Sequence, residues 1–211
     1  MKNSKVLEML NENRIEELKL ALQDELYSEE LTKQPGAKKR YAAMKKYFKL
    51  IDIQRECCQK PCAIEFNGEN YNAFTNSYSL ILTKESCGEL QMFDTANGNY
   101  PEVQRLIDIS GPEEKIDFNK VLAEAKSKGY KFKKSSIMSN EYLFHLNDSY
   151  FRMGLLDSSY SIIASEGEAS IYHVKGGRSK LTIVNDIGIC VLMPVYLEEG
   201  PKDYYVVIEA K

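Results

Sequence analysis

The run IGICVLMPVYL (Ile187–Leu197) decides how this chain is read. Apolar and small residues fill it, and a Met-Pro pair stands near its end. Before it lies FRMGLLDSSYSII (Phe151–Ile163), whose apolar residues recur at helical spacing. Between the two come the strand-like runs ASIYHV (169–174) and SKLTIVN (179–185), rich in β-branched residues. The order is one helix followed by three strands.

Working backward, the same order returns. KIDFNKVLAEAKSKGY (Lys115–Tyr130) sets Phe118, Val121, Leu122 and Ala125 on one helical face, with Gly129 placed to close it. The runs YKFKKSSIM and NEYLFHLN follow as strands across a Ser139-Asn140 turn. Further upstream, Tyr41, Met44, Phe48 and Ile51 mark the apolar stripe of a helix expected from Ala37 to Gln59. After it, CAIEFNGENYNAF reads as a hairpin turning at Asn67-Gly68, NSYSLILTK continues the meander, and GELQMFD adds a short strand. A first helix is expected over Ser4–Tyr27, carrying Ile15, Leu18, Leu22 and Leu26, with Asn13 and Glu16 spaced as a capping pair. Pro35 and Gly36 end that segment, and a last alternating run, DYYVVIEA, follows the Met-Pro. The fold class is α+β, a helix-plus-meander unit repeated. Three segments are expected: an acidic helical segment over 1–36, a partial unit over 37–110, and a full unit with a strand extension over 111–211.

With 211 residues, 43% hydrophobic and 28% charged, the chain can bury a proper core. No run approaches the roughly 18 apolar residues needed to cross a bilayer. The opening MKNSKVLEMLNENR lacks the apolar stretch of a secretory signal, so a cytoplasmic protein is expected. Cys57, Cys58, Cys62, Cys87 and Cys190 are odd in number, which suits reduced thiols rather than a disulfide framework. The CCxxxC cluster has no second ligand pair downstream, and neither a metal nor another cofactor is expected.

The net charge of −3 hides a strong segregation. Residues 11–30 are acidic, whereas Lys38, Lys39, Arg40, Lys45, Lys46 and Lys49 crowd the next helix. Lys126, Lys128, Lys131, Lys133 and Lys134 form a second basic group. Such segregation suits an anionic partner on one face; a solvated lysine face is the plain alternative.

Four motifs, in order, carry a family resemblance. Thr75-Asn76-Ser77-Tyr78 stands where bacterial DNA sliding clamps have a Thr-Asp-Gly-His turn, departing at three of its four places. NYPEVQRLI (Asn99–Ile107) resembles their Tyr-Pro-Asp interdomain linker. YFRMGLLDSSYSII resembles their strand entering a Leu-Leu helix, and LMPVYL (Leu192–Leu197) their closing Met-Pro-Met-Arg-Leu. The chain is therefore similar to a reduced, divergent clamp (the beta subunit of DNA polymerase III) of the kind phages or mobile elements carry. The resemblance spans about Cys62 to Leu197. It leaves the N-terminal helical segment and the tail without counterparts.

The resemblance implies a non-catalytic protein of DNA replication that binds double-stranded DNA without sequence preference, through Lys38, Lys39, Lys45, Lys46, Lys49, Lys120, Lys126 and Lys128. It also implies a pocket for short hydrophobic peptides of replication proteins, to which Met193, Pro194 and Val195 contribute. A ring would require a homo-oligomer. The alternative is a clamp-fold interaction module that no longer binds DNA. No enzyme is expected: KGGRSK (Lys175–Lys180) lacks phosphate-loop spacing, and His145 lies in an alternating strand.

Overall fold

The computed structural model describes residues 3–12, 14–19, 21–22, 26, 36–48, 58, 60–84, 100–107, 113–131, 142–174, 179–197, 201–202 and 204–209. The chain divides into two compact units, Met1–Lys38 and Lys39–Lys211.

In the first unit, α1 spans Asn3–Asn11 and helical backbone resumes at 15–19 and 21–22. The single helix expected over Ser4–Tyr27 is thus interrupted at Glu12 and at Arg14. The Arg14 amide donates to the Met9 carbonyl at 2.9 Å, which turns the chain. The Arg14 guanidinium then pairs with Glu12 at 2.9 Å and with Glu17. The expected Asn13 cap lies outside the described residues.

The second unit is built on an antiparallel sheet. Its strands are β1 (Cys62–Phe66), β2 (Glu69–Thr75), β3 (Ser79–Thr83), β4 (Glu113–Ile116), β7 (Ser170–Val174), β8 (Lys180–Asn185) and β9 (Gly188–Leu192). Their spatial order is β1-β2-β3-β9-β8-β7-β4. Two meanders, β1-β2-β3 and β7-β8-β9, therefore meet at their third strands, with Leu80 opposite Val191 and Thr83 opposite Gly188. A glycine is required there, because a Cβ on Gly188 would sit 2.2 Å from the Leu82 carbonyl oxygen. A second sheet places β5 (Tyr142–Leu146) between β6 (Ser149–Arg152) and β10 (Val206–Glu209). The tail strand β10 runs parallel to β5 and buries Ile208 fully.

Side-chain alternation sorts the two faces of the large sheet. Phe74, Ile81, Ile183, Cys190 and Leu192 point into one core with three helices. These are α2 (Ala37–Phe48), α4 (Phe118–Ser127) and α5 (Met153–Ile163). Met44, Tyr47, Phe118, Val121, Ala125, Leu155 and Ile162 are their buried faces. The opposite set, Ala73, Leu80, Leu82 and Val191, packs with Val103 and Ile107 of the short helix α3 (Val103–Leu106) and its end. Helix α5 lies against β8 and β9 of the large sheet and β5 and β6 of the small one.

Local chemistry sets the ends of these elements. Asn67 and Gly68 take φ of 52° and 78°, the left-handed pair that a tight hairpin demands. The Asp117 carboxylate caps α4 by accepting from the amides of Asn119 (3.1 Å) and Lys120 (3.3 Å). Gly129, at φ 89°, ends that helix as expected. Helix α2 is described to Phe48; its expected continuation over 49–57, the GELQMFD strand, residues 132–141 and the 175–178 turn lie outside the described residues. Among the described residues, no helix is long and apolar enough to cross a membrane.

Candidate functional site

The loop joining β2 to β3 is organised by one buried side chain. The Asn76 Oδ1 accepts from the Tyr78 amide (3.0 Å), the Ser79 amide (2.8 Å) and the Ser79 hydroxyl (2.9 Å). Thr75 contributes a second brace, its hydroxyl donating to the Ser79 carbonyl at 2.7 Å and accepting from the Ser77 amide at 3.1 Å. The Tyr47 hydroxyl of α2 meets Ser79 Oγ at 2.8 Å, tying the turn to the helix layer. This leaves Ser77 at φ 69°, a conformation glycine takes far more readily.

That turn forms one wall of a cavity of about 230 Å³. Thr75, Ser77, Ser79 and Leu80 line it from the turn and β3, Pro101 and Leu106 from around α3, and Val191 and Met193 from β9 and its exit. Cys58 adds a thiol, 3.5 Å from the Ser77 hydroxyl. Four segments separated along the chain thus face one space. Most of its lining is apolar, with hydroxyls on one side, which is the make-up of a site for an apolar side chain held by few polar contacts.

Of Met193, Pro194 and Val195, Met193 lines this cavity and is fixed by its amide donating to the Tyr78 carbonyl at 2.8 Å. Val195 instead bridges to β6, its amide donating to the Tyr150 carbonyl at 2.7 Å. Pro194 lies between them and is half-buried. Leu80, Leu106 and Val191 were not singled out from sequence. Each reads there as an ordinary core residue, and only the pairing of β3 with β9 brings two of them together.

The lysines occupy the helices of the other face. Lys38 and Lys39 are exposed, and the Lys39 ammonium donates to the Ala164 carbonyl at 3.2 Å. Arg40, 3% exposed, pairs with Glu166 just beyond α5 and fastens α2 there. Lys46 and Lys126 are exposed. Both act electrostatically on Asp157 of α5. Burial raises the Asp157 carboxyl above its ordinary range, against the hydrogen bond from Tyr130 (3.1 Å) and the pull of those two lysines. Lys120 lies 3.7 Å from Asp117. Lys128 pairs with Glu124 at 3.2 Å and donates to the Val207 carbonyl at 2.8 Å. The Lys45 side chain and all of Lys49 lie outside the described residues.

Cys58, Cys62 and Cys190 are reduced and buried, and burial pushes the Cys190 thiol up to about 12. Such thiols are poor nucleophiles. His145 Nδ1 lies 2.8 Å from Glu209 and its ring stacks on Tyr150, holding β10 to β5. Among the described residues, no three His, Cys, Asp or Glu side chains group as metal ligands. No family model, curated protein or solved structure matches the chain.

Proposed function

We propose that this chain is a sliding-clamp-like tethering protein of DNA replication, non-catalytic, which holds a short apolar peptide of a partner in the cavity beneath Leu80 and Met193. The observation that carries the reading is the meeting of three clamp-like motifs in one space. Thr75 and Ser77 of the turn, Pro101 of the linker and Met193 of the Met-Pro pair lie far apart in sequence and line a single cavity. The departures from the family pattern also keep its chemistry. Asn76 retains the acceptor oxygen that an aspartate would supply, and Ser77 occupies a left-handed position that suits the family's glycine.

Binding of duplex DNA is the second half of the proposal. Its support is that Lys46 and Lys126, exposed on two different helices, both act electrostatically on Asp157 of α5 and so bring positive charge toward one helix layer. Contacts of this kind read phosphate rather than sequence and weaken steeply with salt. A specific observation favours the alternative, an interaction module without DNA. Asp157 interacts electrostatically with both lysines, and Lys39 and Lys128 already donate to carbonyls within the chain.

A duplex-binding titration across salt, with light scattering for mass, separates the two readings. The DNA-tethering reading expects binding at low salt that falls steeply as salt rises and drops several-fold in Lys46→Gln/Lys126→Gln. Affinity unchanged by that double substitution, or absent at low salt, sinks the DNA role and leaves the peptide cavity to be judged alone.

A further inference from the structure

The two meanders of the large sheet are built alike but finished differently. In β7-β8-β9 the outer edge of β7 is covered by β4, four residues paired antiparallel from Glu113 opposite Val174 to Ile116 opposite Ile171. In β1-β2-β3 the corresponding outer strand is β1, which pairs with β2 and, among the described residues, with nothing on its other side. Beside it lies a groove of about 510 Å³, walled by Cys62, Ala63, Ile64 and Glu65 of β1 and by Tyr100, Pro101, Val103 and Arg105 of the α3 region. This groove is distinct from the cavity at Met193, with which it shares only Pro101.

An open strand edge next to a groove offers unpaired main-chain donors and acceptors on one side and side-chain contacts on the other. We propose that β1 is a docking site for an extended segment of a partner protein, added antiparallel to β1 in the position that β4 fills beside β7. Side-chain direction fixes the chemistry of that segment. Ile64 is half-buried against the cluster of Phe66 and Val103, so every second residue of the guest faces an apolar wall. Ala63 and Glu65 point the other way and are exposed. Glu65 thus sets a carboxylate on that exposed face, whereas Glu102, on the α3 side of the groove, is paired with Arg105 at 2.6 Å. The guest is therefore an alternating segment, apolar on one face and basic on the other. A second copy of this chain fits less well, because its own β1 would bring a second Glu65 to the same exposed face.

The test uses the full chain and two synthetic peptides, acetyl-Lys-Val-Lys-Val-Lys-amide and its glutamate counterpart, followed by backbone amide NMR. The expected result is a saturable shift centred on Ala63, Ile64 and Glu65 with slowed amide exchange there, for the lysine peptide alone. Glu65→Lys, at an exposed position that leaves the core untouched, is expected to cut lysine-peptide affinity at least several-fold and to admit the glutamate peptide. Three results overturn the proposal. They are no shift along β1, shifts from the lysine peptide confined to the acidic N-terminal segment, and a concentration-dependent dimer that protects the β1 amides without peptide.

Discussion

The cavity at Met193 and the lysine-bearing face are held in place by different means. The cavity wall is fixed by backbone: Leu80 and Val191 are opposed in the β3–β9 ladder, and Asn76 pins the adjoining turn with three accepted hydrogen bonds. The lysine face is fixed by helices, but its charges hang on long exposed side chains and are partly answered within the chain. A surface of the first kind can select one shape of guest. A surface of the second kind offers attraction without shape, tunable by a single neighbouring carboxylate.

The strongest way to break the cavity side is Gly188→Ala. Its new methyl would meet the Leu82 carbonyl oxygen at 2.2 Å and push β9 from β3, at a cost of about 3 kcal/mol. Chemical denaturation reads the loss, and a stability unchanged within error would show that the join between the two meanders is not tight. Next in size is Asn76→Ala, which leaves the Ser79 amide and hydroxyl and the Tyr78 amide without their acceptor. Roughly 2–3 kcal/mol is expected to go, together with the cavity's shape. An equilibrium melt measures the first and peptide titration the second.

Asp157→Asn sharpens the contrast from the lysine side. Burial first, resisted by Tyr130 and then by Lys46 and Lys126, raises this carboxyl, so the fold holds its proton more tightly than the unfolded chain does. Ionisation consequently costs stability, a cost absent below the ordinary value of 3.8 and growing as pH rises through the raised folded value. The variant is expected to be more stable than the parent at neutral pH, with the gap closing in acid below that point. It is also expected to bind duplex DNA a few-fold more tightly at low salt. Parallel stability curves across pH would remove the account of Asp157. The smallest effect belongs to Ser77→Gly, which relieves a left-handed serine and is expected to add about 0.5–1 kcal/mol.

Local signals in the sequence were legible where one residue decides the geometry. Asn67-Gly68 and Gly129 need positive φ and occur where the chain turns or a helix stops. The apolar faces of α2 and α4, through Tyr41, Met44, Phe118, Val121 and Ala125, follow from period alone. What the sequence withheld is the non-local pairing. Nothing near Ser79 or Leu192 states that they are neighbours, because the ladder joining them is chosen by competition among many strands of similar composition. Leu80, Leu106 and Val191 stayed invisible as a site for that reason. The break near Glu12 and Arg14 was half legible: the Asn13–Glu16 spacing marks a helix start, but helical spacing persists on both sides, and the turn is set by main-chain and ionic contacts of Arg14.

The central claim is that the cavity takes an apolar peptide, and a fluorescent peptide bearing Leu-Leu-Phe, titrated into the full chain, tests it most directly. The parent is expected to saturate in the micromolar range. Met193→Glu sets a charge on the half-buried cavity wall and is expected to weaken binding at least tenfold, beyond what Met193→Gln, which tests the packing loss without the charge, brings about. Equal affinity in parent and Met193→Glu, or no saturable binding in either, would contradict the account.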